Sequence, residues 1–207
     1  MEEGADVNLP FDEEEGERKG ESLLHAASSA FPDRYSDNLK VVRFLVDNGA
    51  DINARNAHGW PAVAEAIWAG KMDLVRFFQD QGVDIQMTFP GPWPNDTDNF
   101  TLLHIAAMKS RTEPVAWLLD QGVEVNAQTD NGDTALMFAA NSGNYKVVRL
   151  LVDAGADPSI RNMRDELAVD LAMRRVRDYE NDPNSRSAFE KTVEILHASA
   201  VGPKQAP

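Results

Sequence analysis

Five short segments of this chain are near copies of one another: GADVN from Gly4, GADIN from Gly49, GVDIQ from Gly82, GVEVN from Gly122 and GADPS from Gly155. They are spaced by 45, 33, 40 and 33 residues. A second pattern follows each one: SLLHAA (Ser22 to Ala27), PAVAEA (Pro61 to Ala66), TLLHIA (Thr101 to Ala106), TALMFA (Thr134 to Ala139) and LAVDLA (Leu167 to Ala172). An apolar run such as VVRFLVDNGAD or VVRLLVDAGAD leads into most of the glycine segments. Each part has a physical reading. The Val-Val-x-Leu-Leu run gives a helix an apolar stripe at helical spacing. Glycine stands where that helix must stop in a left-handed cap, and the Asp and Asn beyond it supply turn chemistry. The small residues of Leu-His-x-Ala-Ala let a first helix pack closely on its neighbours.

This alternation at a 33-residue period resembles the ankyrin repeat, a β-turn followed by two antiparallel helices. The resemblance covers nearly the whole chain and both halves of the family's signature. It implies an all-α repeat solenoid whose helix-turn-helix pairs are joined by short β-hairpin loops and stabilised through neighbour interfaces. One domain is expected over 1–207. Within it, 1–19 is a partial repeat with an extended loop, 20–56, 57–89, 90–129 and 130–162 are repeats, 163–200 is a capping repeat, and 201–207 is a tail. The last unit lacks a terminal glycine motif, carries Arg174, Arg175 and Arg177, and is expected to present a polar outer face as a cap.

Measured against the 33-residue frame, two hairpins are enlarged, LPFDEEEGERKG by six residues and MTFPGPWPNDTDN by seven. Between the helices of the first repeat SSAFPDRYSDN is longer by six, and the last repeat is stretched around Tyr179 to Asn184. Insertions of this kind either drift without function or carry it, as long loops in compact domains often do.

His25 and His104 fall on the family's Thr-Pro-Leu-His position, where histidine resembles a structural hydrogen-bonder tying adjacent loops. The equivalent positions hold Ala64, Met137 and Asp170, so the sequence contains no constant histidine constellation. It also has no glycine-rich phosphate loop and no nucleophile with a recognisable base. The run NDTDN lacks the turn glycine and distal Glu of a calcium loop. No enzyme activity, cofactor or metal is expected.

In the ankyrin family, partners lie along the concave surface of hairpin tips and first helices. Carried over by position, the resemblance nominates Trp60, Trp68, Phe100 and Met108 as a solvent-facing apolar patch, and Asp130, Asn131, Asp133 and Asn141 as its polar continuation. The enlarged hairpins add Phe89 and Trp93 in one, and Phe11, Glu13 and Glu14 in the other. Tryptophan dominates binding hot spots, and exposed apolar patches mark interfaces. In the alternative reading, Trp60 and Trp68 cover a repeat in which Pro61 and Ala64 replace the usual Thr and His. The acidic run Asp12 to Glu15 is either a solvated loop or a contact for a basic partner, whereas Trp117 aligns with Leu150 and belongs to the core.

With 34 acidic and 20 basic residues the net charge is −14, which opposes nucleic acid as the main partner. It favours a protein with a basic or mixed apolar surface. No run reaches the roughly 18 apolar residues of a membrane span, so no membrane association is expected. The chain contains no cysteine, which removes disulfides and thiolate zinc. The expected compartment is the cytoplasm, or the periplasm or exterior if a signal peptide has been removed. Together these features lead to the expectation of a monomeric protein-binding module that acts by occupancy, as an inhibitor or in immunity against a toxin. The alternative is a scaffold or adaptor, a fragment of a longer repeat protein. The Leu45–Asn53 and Leu118–Asn126 spacings also resemble those favoured by the asparaginyl hydroxylase that modifies ankyrin repeats.

Overall fold

Three helices of this chain start at hydroxyl side chains. Ser22, Thr101 and Thr134 each hold the backbone N–H three residues on, of His25, His104 and Met137, at 3.4, 3.4 and 3.3 Å. That satisfies donors which the first helical turn leaves without intrahelical partners. In a computed structural model the described residues are 7–8, 22–29, 38–92 and 99–200. Among them lie ten helices: α1 (Leu23–Ser28), α2 (Asn38–Asp47), α3 (Ala62–Ala69), α4 (Met72–Asp80), α5 (Leu102–Met108), α6 (Thr112–Asp120), α7 (Ala135–Asn141), α8 (Tyr145–Asp153), α9 (Ala168–Asp178) and α10 (Pro183–Ala200). Each odd-numbered helix packs on the next helix in sequence, forming five hairpin pairs. The odd helices also stack on one another as an inner row, and α2 on α4, α6 on α8 and α8 on α10 form an outer row.

The core runs along the seam between the two rows. Leu24, Ile67, Ile105 and Leu136 of the inner helices meet Val42, Phe78, Leu118 and Leu151 of the outer ones, all fully buried. Trp117, expected in the core, is half-buried and packs against it. Gly49, Gly82, Gly122 and Gly155 end the outer helices with φ between 73° and 91°. Nothing lies within 4 Å of the Cβ each would carry, so conformation alone asks for glycine there.

Gly132, at a hairpin tip, is constrained twice. Its φ is 77°, and a Cβ would sit 3.0 Å from the Asn162 Cα of the next hairpin. Left-handed backbone costs an L-residue roughly 1–2 kcal/mol, and overpacking against main chain adds about 1–3 kcal/mol. Gly132→Ala is therefore expected to lower unfolding free energy by about 2–4 kcal/mol in urea melts, against under about 2 kcal/mol for Gly122→Ala.

Three antiparallel bridges, Arg55–Pro61, Phe89–Phe100 and Gln128–Thr134, close the hairpin bases. Phe89 and Phe100 exchange both backbone hydrogen bonds, at 3.0 and 2.9 Å, so the proline-rich insertion leaves from a paired base. The extra residues in the last repeat do not form the long connection expected around Tyr179 to Asn184. They lengthen helices instead: α9 has 11 residues and α10 has 18, where α7 has 7 and α8 has 9. The run from Arg174 through Asp178 continues α9, and Pro183 opens α10 at a position where its missing N–H costs nothing.

Candidate functional site

Four residues beyond each Ser/Thr-x-x-His-type position, the inner helices place one side chain in the same register. The series is Ser29, Trp68, Met108, Asn141 and Arg174, each half-buried or exposed. It passes from apolar in the middle of the stack to polar and then cationic at the C-terminal end. Trp68, Met108 and Asn141 were legible from the resemblance. Ser29 was not singled out and Arg174 was read only as a charge of the cap, although the same count from His25 and Asp170 reaches them.

Hydrogen bonds from the following repeat hold this row. Lys71 Nζ donates to Ser29 O at 2.6 Å, and the Arg111 guanidinium to Trp68 O at 3.0 and 3.3 Å. Ser142 Oγ donates to Met108 O at 3.1 Å, and Arg175 Nε to Asn141 Oδ1 at 3.1 Å. Lys109 Nζ stands 3.9 Å above the Trp68 ring, close enough for a cation–π attraction. Trp68, the one aromatic of the row, thus has a cation of the next repeat over its ring and another on its carbonyl.

Three of the nominated anchors are not on the surface. Trp60, Phe89 and Phe100 are 5%, 2% and 2% exposed, which corrects the expectation that they face solvent. Trp60 fills the space left where Pro61 and Ala64 replace a hydroxyl cap and a histidine, packing edge-on to Trp68 at 5.5 Å and to Phe89 at 5.7 Å. Phe100 packs against Phe138 at 5.4 Å. These rings support the surface from beneath, and the Trp60 Nε1 has no acceptor among the described residues. Phe11, Glu13, Glu14 and Trp93 lie outside the described residues, as do most of NDTDN and the acidic run.

Of the polar candidates, Asp130, Asn131 and Asp133 lie in the hairpin closed by the Gln128–Thr134 bridge, and each is engaged by a neighbour. Asp130 accepts from Asn99, Asn131 O from Met163 N–H at 2.9 Å, and Asp133 from Asn162 Nδ2 at 2.8 Å. Two clefts open on this face. One of about 200 Å³ is lined by Asn56, His58, Trp60, Glu65, Trp68 and Pro92. The other, of about 190 Å³, lies between Asp133, Phe138 and Asn141 on one side and Arg164, Glu166 and Arg174 on the other.

The two buried histidines tie loops to helices. His104 Nδ1 accepts the Thr101 N–H at 3.0 Å, which places its proton on Nε2, 3.0 Å from Ala127 O in the next hairpin. His25 does the same between Ser22 Oγ at 2.8 Å and Trp60 O at 2.9 Å. Burial lowers both pKa values, that of His104 to about 4, against the smaller opposing effect of the carbonyls. Both rings are neutral and positioned as ties. Asparagine stitches the other end of the hairpins: Asn126 Oδ1 accepts the Asp157 N–H at 2.8 Å and its Nδ2 donates to Gly155 O at 3.4 Å, a geometry repeated by Asn8 on Asp51 and Gly49. Asn126→Ala is expected to cost roughly 1–2 kcal/mol in chemical denaturation.

Among the described residues no group of three His, Cys, Asp or Glu could hold a metal ion. No helix there is long and apolar enough to cross a membrane.

Stacked helix pairs, glycine-capped outer helices and histidine-tied hairpins define a repeat class, and family models of ankyrin repeats match residues 23–79 and 89–162. The chain belongs to the ankyrin-repeat family, whose repeats serve as general protein–protein interaction modules. It is 33% identical over 127 residues to an ankyrin repeat protein of fowlpox virus, covering 61% of this chain and 27% of the relative. It is 28% identical over 159 residues to the mitochondrial disaggregase of Bos taurus, covering 74% and 21%, and 26% identical over 129 residues to an ankyrin repeat protein of Rickettsia felis, covering 62% and 42%. The chain therefore spans less than half the length of each of these relatives.

Proposed function

We propose that this chain is a non-enzymatic binding module that holds one protein partner across its inner-helix and hairpin face and acts by occupancy. Inhibition of an enzyme, including protection against a toxin, is the role that fits a module of this kind. The observation carrying the reading is the row Trp68, Met108, Asn141 and Arg174: an apolar centre grading into polar and cationic positions, held in register by the next repeat. Half-buried Trp68 and Met108 expose enough apolar surface to anchor a partner without unfolding the repeat. With a charge of −14, approach of a partner bearing basic patches is steered at long range. The enlarged hairpin has its paired base, Phe89–Phe100, beside these repeats.

Affinity capture from the native source, followed by titration calorimetry with the captured protein, tests this. Trp68→Ala together with Met108→Ala is expected to weaken binding by about 30-fold or more, while the exposed Phe44→Ala on the outer row leaves it unchanged. Equal affinities for all variants would remove this face from the function. A scaffold or adaptor role is the second reading. It is supported by the length of the relatives, each more than twice the matched segment.

A further inference from the structure

Each interior repeat is covered on its C-terminal side by the next, α7 by α9 and α8 by α10. On α9 and α10 the corresponding side has no cover among the described residues. A groove of about 610 Å³ runs between the two helices there, with Met173, Val176 and Val193 along it and Met173 45% exposed. Charged side chains flank this apolar strip on both helices.

The two walls of the groove differ in sign. α9 carries Arg174 and Arg177 with Asp170, whose carboxylate accepts the Leu167 N–H, and α10 carries Glu190 and Glu194, so the first wall is net cationic and the second anionic. Arg174 is paired with Glu166, and Glu190 with Arg186 at 2.7 Å. Arg177 and Glu194 make no ion pair among the described residues, and both are exposed.

We propose that this terminal face is a self-association surface, on which two copies of the chain pack about a two-fold axis with α9 of each against α10 of the other. An isologous contact requires a surface to be its own complement. A groove with one cationic and one anionic wall meets that condition, because a half-turn brings each wall opposite its counterpart. A partner of uniform charge would meet one favourable and one unfavourable wall. The face carries nearly balanced charge although the chain is at −14, so repulsion between copies comes from more distant groups. At physiological salt, where screening acts over about 8 Å, that repulsion is largely damped. The stacking of repeats on one another continues across the axis, and the chain pairs where the sequence suggested a monomer.

Sedimentation velocity of the full chain at physiological ionic strength, over a micromolar to millimolar series, is the test. The wild type is expected to double in mass with concentration. Arg177→Glu and Glu194→Arg, each counted twice in a symmetric contact, are each expected to weaken association by roughly tenfold or more. An equimolar mixture of the two single variants is expected to pair again, since every cross-contact then has opposite charges, and so is the doubly reversed chain. Circular dichroism checks that these exposed substitutions leave the fold intact. A chain that stays monomeric throughout overturns the proposal, as does a dimer indifferent to the single reversals or a mixture that fails to re-pair.

Discussion

Phe78→Ala is expected to lower the unfolding free energy by about 3–5 kcal/mol. Phe78 sits in α4 with none of its surface exposed, and its ring meets Phe77 at 6.0 Å. Truncation removes the transfer energy of the ring and leaves a void in a seam whose neighbours are held by their own helices, so collapse into it is limited. The location adds a second consequence. α4 belongs to the second of the five helix pairs, with α2 packed on it and its companion α3 stacked on both α1 and α5. In a stack where each repeat contacts only its neighbours, weakening one interior unit uncouples the units on either side. Urea titration followed by circular dichroism should thus show an earlier midpoint and a broader or split transition. Phe44→Ala, on the outer row at 65% exposure, is expected to change stability by less than about 0.5 kcal/mol. A cost for Phe78→Ala near that of Phe44→Ala would contradict the packing described for α4.

The register of the repeats was legible because it is written in backbone conformation. The asparagine that stands in for glycine at the opening of the third full repeat, Asn99, has φ 70°, beside 77° for both Gly59 and Gly132. Asp165 takes the same role at 60°. The rule that a left-handed residue is needed there survives the change of residue, because Asn and Asp tolerate that region better than other side chains. Side-chain exposure was less legible. A position assigned by resemblance describes the ordinary hairpin, whereas Trp60 stands in one whose hydroxyl and histidine are missing. Bulk apolar surface filled the gap, so the residue turned inward. Phe100 turned in for another reason: bonded to Phe89 across the hairpin base, it lies over the His104 ring at 5.7 Å. Neither cause can be read from a repeat period. The helical extension of the last repeat was hidden too, since Tyr179 to Asn184 reads as turn chemistry and the two helices on either side simply run longer than the repeat requires.

Acidification from pH 7 to pH 5 is expected to destabilise the wild-type chain by about 2 kcal/mol more than a His104→Gln variant. The His104 ring is 1% exposed and lies between Phe100 and Phe138, so desolvation opposes its charged form and its pKa falls to about 4. Protonation would also place a hydrogen on Nδ1, which now accepts the Thr101 N–H. In the unfolded chain the same imidazole titrates near 6.5. Between those two values the unfolded state holds a proton that the folded state lacks, so stability rises with pH across the window. This contribution is complete above about pH 7 and is lost progressively down to about pH 4, roughly 3 kcal/mol in all. His25, buried and shifted in the same direction, adds to the slope in both proteins and cancels in the comparison. Urea melts of the two proteins at half-unit steps between pH 5 and pH 7 measure the difference, and parallel slopes would show that His104 is not held neutral. The consequence reaches the proposed binding face, because Ala127, the acceptor of His104, anchors the hairpin that carries Asp130, Asn131 and Asp133. As the tie weakens, those residues lose their register against α5. Partner affinity is therefore expected to fall across the same window, before the chain itself unfolds, and to do so less in the variant that has no imidazole to protonate.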